Sequence, residues 1–134
     1  MDLHLASSFE VEISGLRAAS FLRVEGLGAR VEVVAVEEGG AESPRLYPGR
    51  TSWEPLVFTR GWVRDTALWD WFQSHEARDG AVTLLGPDGA PRGRFRFRRG
   101  WPSGWSGPAF DAERDALALE RLEIVHEGLT WEPA

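Results

Sequence analysis

Three histidines, a run of alternating arginines and seven tryptophans are the side chains in this sequence whose types could do chemistry. A metal site needs ligands that spacing brings together, and His4, His75 and His126 stand singly. Asp111, Glu113 and Asp115 alternate like the first half of a calcium loop. That loop needs glycine at its sixth position and glutamate at its twelfth, where this chain has Ala116 and Leu122. Ser106, in Gly104-Trp105-Ser106-Gly107, misses the nucleophile-elbow spacing by one residue. Ser74 and His75 are neighbours on an expected helix and point apart. Gly26-Leu27-Gly28 lacks the third glycine of a dinucleotide loop. With no cysteine, thiolate catalysis, disulfides and cysteine metal sites are excluded. No group is singled out for catalysis, and no cofactor or metal is implied, so the expectation is a protein that is not an enzyme.

The most unusual pattern is Arg92-Gly93-Arg94-Phe95-Arg96-Phe97-Arg98-Arg99. On a strand, Arg94, Arg96 and Arg98 share one face, and Phe95 and Phe97 the other. Single-stranded nucleic-acid modules place aromatics and cations on the same exposed surface. Here the period separates them, so the phenylalanines are expected in the core and the arginines against carboxylates or another subunit. Glu10, Glu12, Glu32, Glu120 and Glu123 are the candidate partners. Trp69 and Trp71 read as helix core. Trp53, Trp101, Trp105 and Trp131 lie near Pro or Gly, which suits a core lid, a subunit interface or a carbohydrate surface; enrichment of tryptophan at interfaces favours the first two.

The elements that must position these side chains read as mostly β. Phe9, Val11 and Ile13 alternate with glutamates over 9–14, the signature of a half-buried strand. Further strands are expected over 19–25 and over 30–37, where Val31, Val33, Val34 and Val36 suggest burial on both faces. From Glu38 to Pro55 the periodicity vanishes among turn signals, and this stretch is expected to be a loop. A strand at 56–60 leads to a helix capped by Asp65 or Thr66 and running to Ala77, with Leu68, Trp71 and Phe72 on one face. A hairpin joins 81–85 to 92–98 around Pro87-Asp88-Gly89. A Trp/Pro/Gly-rich segment follows over 100–108, and a last strand runs from 116 to 125. The expected fold is a small β-barrel or two packed antiparallel sheets with one short flanking α-helix, in a single domain over 1–134.

Composition bounds the partners. With 43% hydrophobic residues the chain can bury a core. A net charge of −6 disfavours nucleic acid as a bulk partner. Every basic residue is arginine, and lysine and asparagine are absent, which a GC-rich genome accounts for. No apolar run approaches the roughly 18 residues a membrane helix needs. The first residues carry no basic start, so no signal peptide is expected.

Taken in order, the motifs resemble the tail-tube proteins of contractile phages and of extracellular contractile injection systems. The blocks are Phe9-Glu10-Val11-Glu12-Ile13-Ser14-Gly15-Leu16, Phe21 to Leu27, Glu37-Glu38-Gly39-Gly40, Leu46-Tyr47-Pro48-Gly49-Arg50-Thr51, Arg60-Gly61 and Leu68-Trp69-Asp70-Trp71-Phe72. Trp101-Pro102 through Pro108, Ala118 to Glu123 and His126 to Leu129 follow. The resemblance implies hexameric rings stacked into a hollow tube, with an inner wall of strands from every subunit and a fold similar to the type VI secretion tube protein. It also implies partners: further copies, sheath, baseplate and tail-cap proteins, and cargo in the lumen. Assembly would be cytoplasmic, followed by incorporation into a phage-tail-like particle. The short His75–Gly80 segment and the short stretch before Phe9 suit a tube-initiator or baseplate-proximal paralogue as the alternative to the bulk subunit. A small carbohydrate- or single-stranded nucleic-acid-binding module is the rival class. The expected subunit contacts are Glu38, Gly39, Gly40, Arg45, Leu46, Tyr47, Pro48, Gly49, Arg50 and Trp53 in the loop, with Arg94, Arg96, Arg98, Trp101 and Trp105.

Overall fold

The computed structural model describes residues 8–16 and 20–134. His4, and the first residue of the strand expected over 19–25, lie outside the described residues. Among the described residues nine strands and one helix follow in order: β1 Phe9–Ile13, β2 Arg23–Glu25, β3 Ala29–Val36, β4 Arg45–Trp53, β5 Leu56–Gly61, α1 Ala67–Ser74, β6 Arg78–Leu85, β7 Pro91–Ser106, β8 Leu119–Val125 and β9 Leu129–Pro133.

The 16-residue β7 is the spine. Its first part pairs β6 on one side and β9 on the other. Its second part pairs β8, which continues to β5 and β2. Strand β1 pairs β6. All these pairings are antiparallel, and the network folds on itself where β7 changes partners. At that corner Arg99 takes φ +47, and its N–H donates to Asp79 Oδ1 at 2.9 Å. Next to it, a side chain on Gly100 would meet Phe97 and Ile124 within 2.9 Å. Absence of a Cβ lets the two halves close.

The core lies between the halves. Val11, Ile13, Val82 and Phe97 face Leu56, Phe58, Leu122 and Ile124, and α1 closes one end with Leu68 and Trp71. The rings of Phe58 and Phe97 meet across the interface, 6.3 Å between centroids. The period-2 alternation of β1, β5 and β8 produces this core directly. The fold is the expected one: two packed antiparallel layers and one short helix.

Several details differ from expectation. The strand expected over 19–25 contracts to β2. The Trp/Pro/Gly-rich segment from 100 onward continues β7 as far as Ser106, with Pro102 fully buried. β8 starts at Leu119 rather than 116, and it is not the last strand, because β9 follows. Helix α1 ends at Ser74 rather than Ala77: His75 takes a left-handed φ of 57 and Trp71 Nε1 donates to Glu76 O at 2.6 Å. That bond draws the chain back across the helix end. Trp71 is core, whereas Trp69 is 40% exposed and meets Trp105 edge-on at 4.7 Å.

Candidate functional site

The stretch from Glu38 to Trp53, expected as a loop, is instead the tip and returning strand of a hairpin. Strand β4 pairs β3 from Ala29↔Trp53 to Val36↔Arg45. The register shifts between Val31 and Val33, where β4 carries one extra residue, Gly49 and Arg50 standing against Glu32 alone. A Cβ on Gly49 would stand 3.1 Å from Glu32 and Val34 side chains. Pro48 is tolerated because a two-stranded ribbon gives each strand a free edge, where a missing N–H breaks no ladder bond. At the tip, Ala41 N–H donates to Glu38 O, and Tyr47 Oη donates to Glu38 Oε1 at 3.0 Å. The alternation that would have marked β4 is absent because neither face lies on the chain's own core.

The valines of β3, expected to be buried on both sides, are exposed, Val31 51% and Val33 66%, as is Leu46, opposite Ala35, at 65%. Direct cross-strand partners share a face. The register therefore puts Val31, Val33, Ala35, Leu46 and Pro48 on one face and Arg30, Glu32, Val34, Val36, Arg45 and Tyr47 on the other. The first face is apolar along most of its length; the second is mixed. An isolated two-stranded hairpin is marginal in water. Each half-exposed Val or Leu here leaves roughly 1 kcal/mol of burial unrealised.

The root of this arm is fixed. Glu54 N–H donates to Gly28 O at 3.0 Å. Gly26 has φ +97, and a Cβ there would lie 1.9 Å from Pro55 O, so only glycine fits. His126, in the β8–β9 turn, reaches Glu54 O through Nε2 at 3.1 Å, accepts Gly128 N–H at Nδ1, and lies 6.1 Å from the Trp53 ring. Burial pushes the His126 imidazole below its ordinary range.

A second constellation escaped the sequence reading. Along β5 and β8 the inward row runs Leu56↔Ile124, Phe58↔Leu122, Arg60↔Glu120. The alternation that buries the first two pairs also buries the third, a charged one, with both side chains 3% exposed. Arg60 Nε donates to Glu120 Oε1 at 2.7 Å, and its Nη atoms fork onto Asp65 at 2.9 and 3.3 Å. Trp105 Nε1 donates to Glu120 Oε2 at 2.8 Å, and Asp65 Oδ1 accepts Ala67 N–H at the start of α1. The Arg60 fork and that N–H hold the Asp65 carboxyl below its usual range. The network ties the helix start to the sheet. The signal was present: Arg60 and Glu120 stand in phase with the apolar residues of their strands.

The other expected contact residues are scattered around β7. Arg96 pairs Glu132 at 2.7 Å and Arg98 donates to Glu127 O. Glu132 was not among the partners expected for these arginines, because β9 was not foreseen, and Glu120 serves Arg60 instead. Phe97 is buried, while Phe95 is half-buried against Trp131 at 4.7 Å. Trp101, opposite Val125, is exposed, and Trp105, opposite Leu122, is half-buried; the register shift between Pro102 and Gly104 separates their faces. Among the described residues no three His, Asp or Glu side chains gather as a metal site.

This fold, a mostly β domain about one long strand with a projecting hairpin, is shared by solved structures of contractile injection systems. The sheath–tube complex of an extracellular contractile injection system, PVC, in its extended state superimposes with TM-score 0.91 at 18% identity, over 98% of this chain and 93% of that one. A chain of the anti-feeding prophage baseplate superimposes with TM-score 0.89 at 19% identity, over 99% and 97%. Hcp1 from Flavobacterium johnsoniae superimposes with TM-score 0.68 at 16% identity, over 94% and 95%. No curated protein sequence matches the chain. The family model described as T4-like virus tail tube protein gp19 matches residues 5–130, and the chain belongs to that family.

Proposed function

We propose that this tail-tube protein forms the inner tube of a contractile injection system, assembling as hexameric rings that stack around a lumen. The observation that carries the reading is the β3–β4 arm, an apolar ribbon held away from its own domain. Two further features support it. Among the described residues β1 pairs only β6, β2 only β5 and β9 only β7, so the network has open edges, two of them at the ends of its main path. Unpaired edges are a hazard unless neighbours use them. Along the order β1-β6-β7-β8-β5-β2 every pairing is antiparallel, so β1 of one copy and β2 of the next would join antiparallel and extend the sheet between subunits. A head-to-tail contact of this kind closes into a ring when the rotation permits. Sheath, baseplate and cap proteins are the partners such a tube would meet, cargo would occupy the lumen, and the assembled particle would be phage-tail-like.

The contact residues proposed from the sequence fall mainly on the arm, where Arg45, Leu46, Tyr47, Pro48, Gly49 and Arg50 lie on β4 and Glu38, Gly39 and Gly40 at its tip. Replacing Glu32–Arg50 with a short Gly/Ser linker tests the reading, with unfolding and assembly measured separately. The domain is expected to keep its stability within about 1 kcal/mol, because exposed residues away from packed features contribute little. Rings and tubes are expected to disappear. Normal tubes from this variant would overturn the role given to the arm.

A further inference from the structure

The two packed layers do not close along one side. Between edge strand β2 and the ends of β1, β7 and β9 an apolar groove of about 310 Å³ opens to solvent, lined by Phe9, Leu22, Val24, Leu27, Phe95 and Trp131 among others. Leu22 is 62% exposed, Leu27 41% and Trp131 47%. The wall is built for the purpose of holding Trp131 flat: Gly93, at φ +153, lies under the indole, and a Cβ there would stand 2.2 Å from Cη2. At about 30 Å³ per water, a groove of this size would hold on the order of ten waters against apolar walls. It is a continuation of the core that the described residues do not fill.

The same chain carries a surface of matching chemistry, the apolar face of the arm with Val31, Val33, Leu46 and Pro48. That face cannot serve its own groove. The arm is a paired ribbon of eight residues in β3 and nine in β4, about 26 Å long at about 3.3 Å per residue. It is rooted beside Leu27 and directed away from the body, so its outer part reaches only another molecule. The groove rim carries Arg23, whose side chain is 67% exposed and already paired with Glu25 at 3.1 Å, so apolar complementarity rather than charge carries this pairing.

We propose that the groove between β2 and β9 receives the apolar face of the β3–β4 arm of a second copy, so that each subunit is donor to one neighbour and acceptor of another. This deepens the assembly reading and rests on it, by naming the surface against which the arm is held. Such a tab-and-groove contact is heterologous and propagates.

The chain's lack of cysteine makes the test direct. Val33→Cys and Leu22→Cys are made as separate full-length variants, mixed, assembled and oxidised. The expected result is a cross-linked dimer that forms only when both variants are present and assembled. In assemblies, Leu22→Cys should react with a thiol reagent at least about tenfold more slowly than in the dispersed protein, as expected when an open site becomes protected. Leu46→Asp should raise the protein concentration needed for assembly at least about tenfold, the equivalent of about 1.4 kcal/mol. Its unfolding midpoint should stay unchanged. Tubes that form while Leu22→Cys reacts freely and no mixed dimer appears would overturn the groove assignment and leave the assembly reading standing. Equal protection of Leu22→Cys in the dispersed monomer would also overturn it, by showing that the chain's own residues fill the groove. Failure of the wild-type protein to assemble at all would remove both readings.

Discussion

Replacing Arg60 with methionine should be among the most damaging single changes in the sheet. Glu120 would keep the Trp105 N–H but lose the guanidinium 2.7 Å from its other oxygen. At 3% exposure water cannot substitute, so the cost is that of an unpaired buried charge, about 3–5 kcal/mol. Glu120→Leu should cost less, about 2–3 kcal/mol, because Arg60 keeps both bonds to Asp65, whose carboxylate is 57% exposed and shares its charge with solvent. Removing both partners leaves Met and Leu in line with the Phe58↔Leu122 pair. The double variant should therefore lie within about 1.5 kcal/mol of wild type, since apolar replacement of a buried ion pair is often neutral. The cycle thus predicts a coupling of about 3 kcal/mol or more, outside the range expected for independent sites. Guanidinium unfolding of the four proteins, with midpoints and slopes fitted together, measures it. Single variants that each cost under about 1 kcal/mol and simply add would refute the claim that this row is a buried, coupled network.

Trp71→Ala should cost about 3–5 kcal/mol, because the side chain is 1% exposed and its N–H also satisfies Glu76 O; calorimetry or denaturant unfolding reads this. Stability should fall in two stages on acidification. His126 has a folded pKa lowered by burial, so the unfolded chain takes the proton first. Its penalty is absent above the ordinary histidine value of about 6.5 and grows as pH falls below it, until the folded imidazole also protonates. Asp65 has a folded pKa lowered by Arg60 and the Ala67 N–H, so its contribution is present above the ordinary value of about 3.9 and is lost as pH falls through the folded value. Unfolding midpoints measured from pH 8 to 3 should show both, and His126→Gln should remove the upper stage alone. Gly93→Ala should destabilise by about 1–3 kcal/mol and expose Trp131 to quenchers, since φ +153 and the 2.2 Å approach both exclude a Cβ.

What the sequence made legible follows from which faces meet the chain's own core. Strands β1, β5 and β8 and helix α1 were readable because one side is buried and the periodicity records it. Strand β4 was not, since both its faces are exposed, Gly49 sits in a bulge and Pro48 stands beside it, so the same residues read as a loop. In β3 the valines were visible, but a run of apolar residues cannot say whether the cover comes from the same chain or another. Strand β9 is only five residues long, and its alternation of Leu129 and Trp131 with Thr130 and Glu132 went unused. The Arg60–Glu120 pair was missed because Glu120 was matched to the β7 arginines; the place of both residues in the alternation puts them inside. The assembly surfaces gave weaker signals still, because a groove built from Phe9, Leu22 and Trp131 joins residues far apart in the chain.

Electron microscopy of the purified wild-type protein over a range of concentrations tests the central claim most directly. The account predicts sixfold rings with an open centre, and stacks of them as concentration rises. Single particles of one chain's mass at every concentration, with and without baseplate proteins, would contradict it.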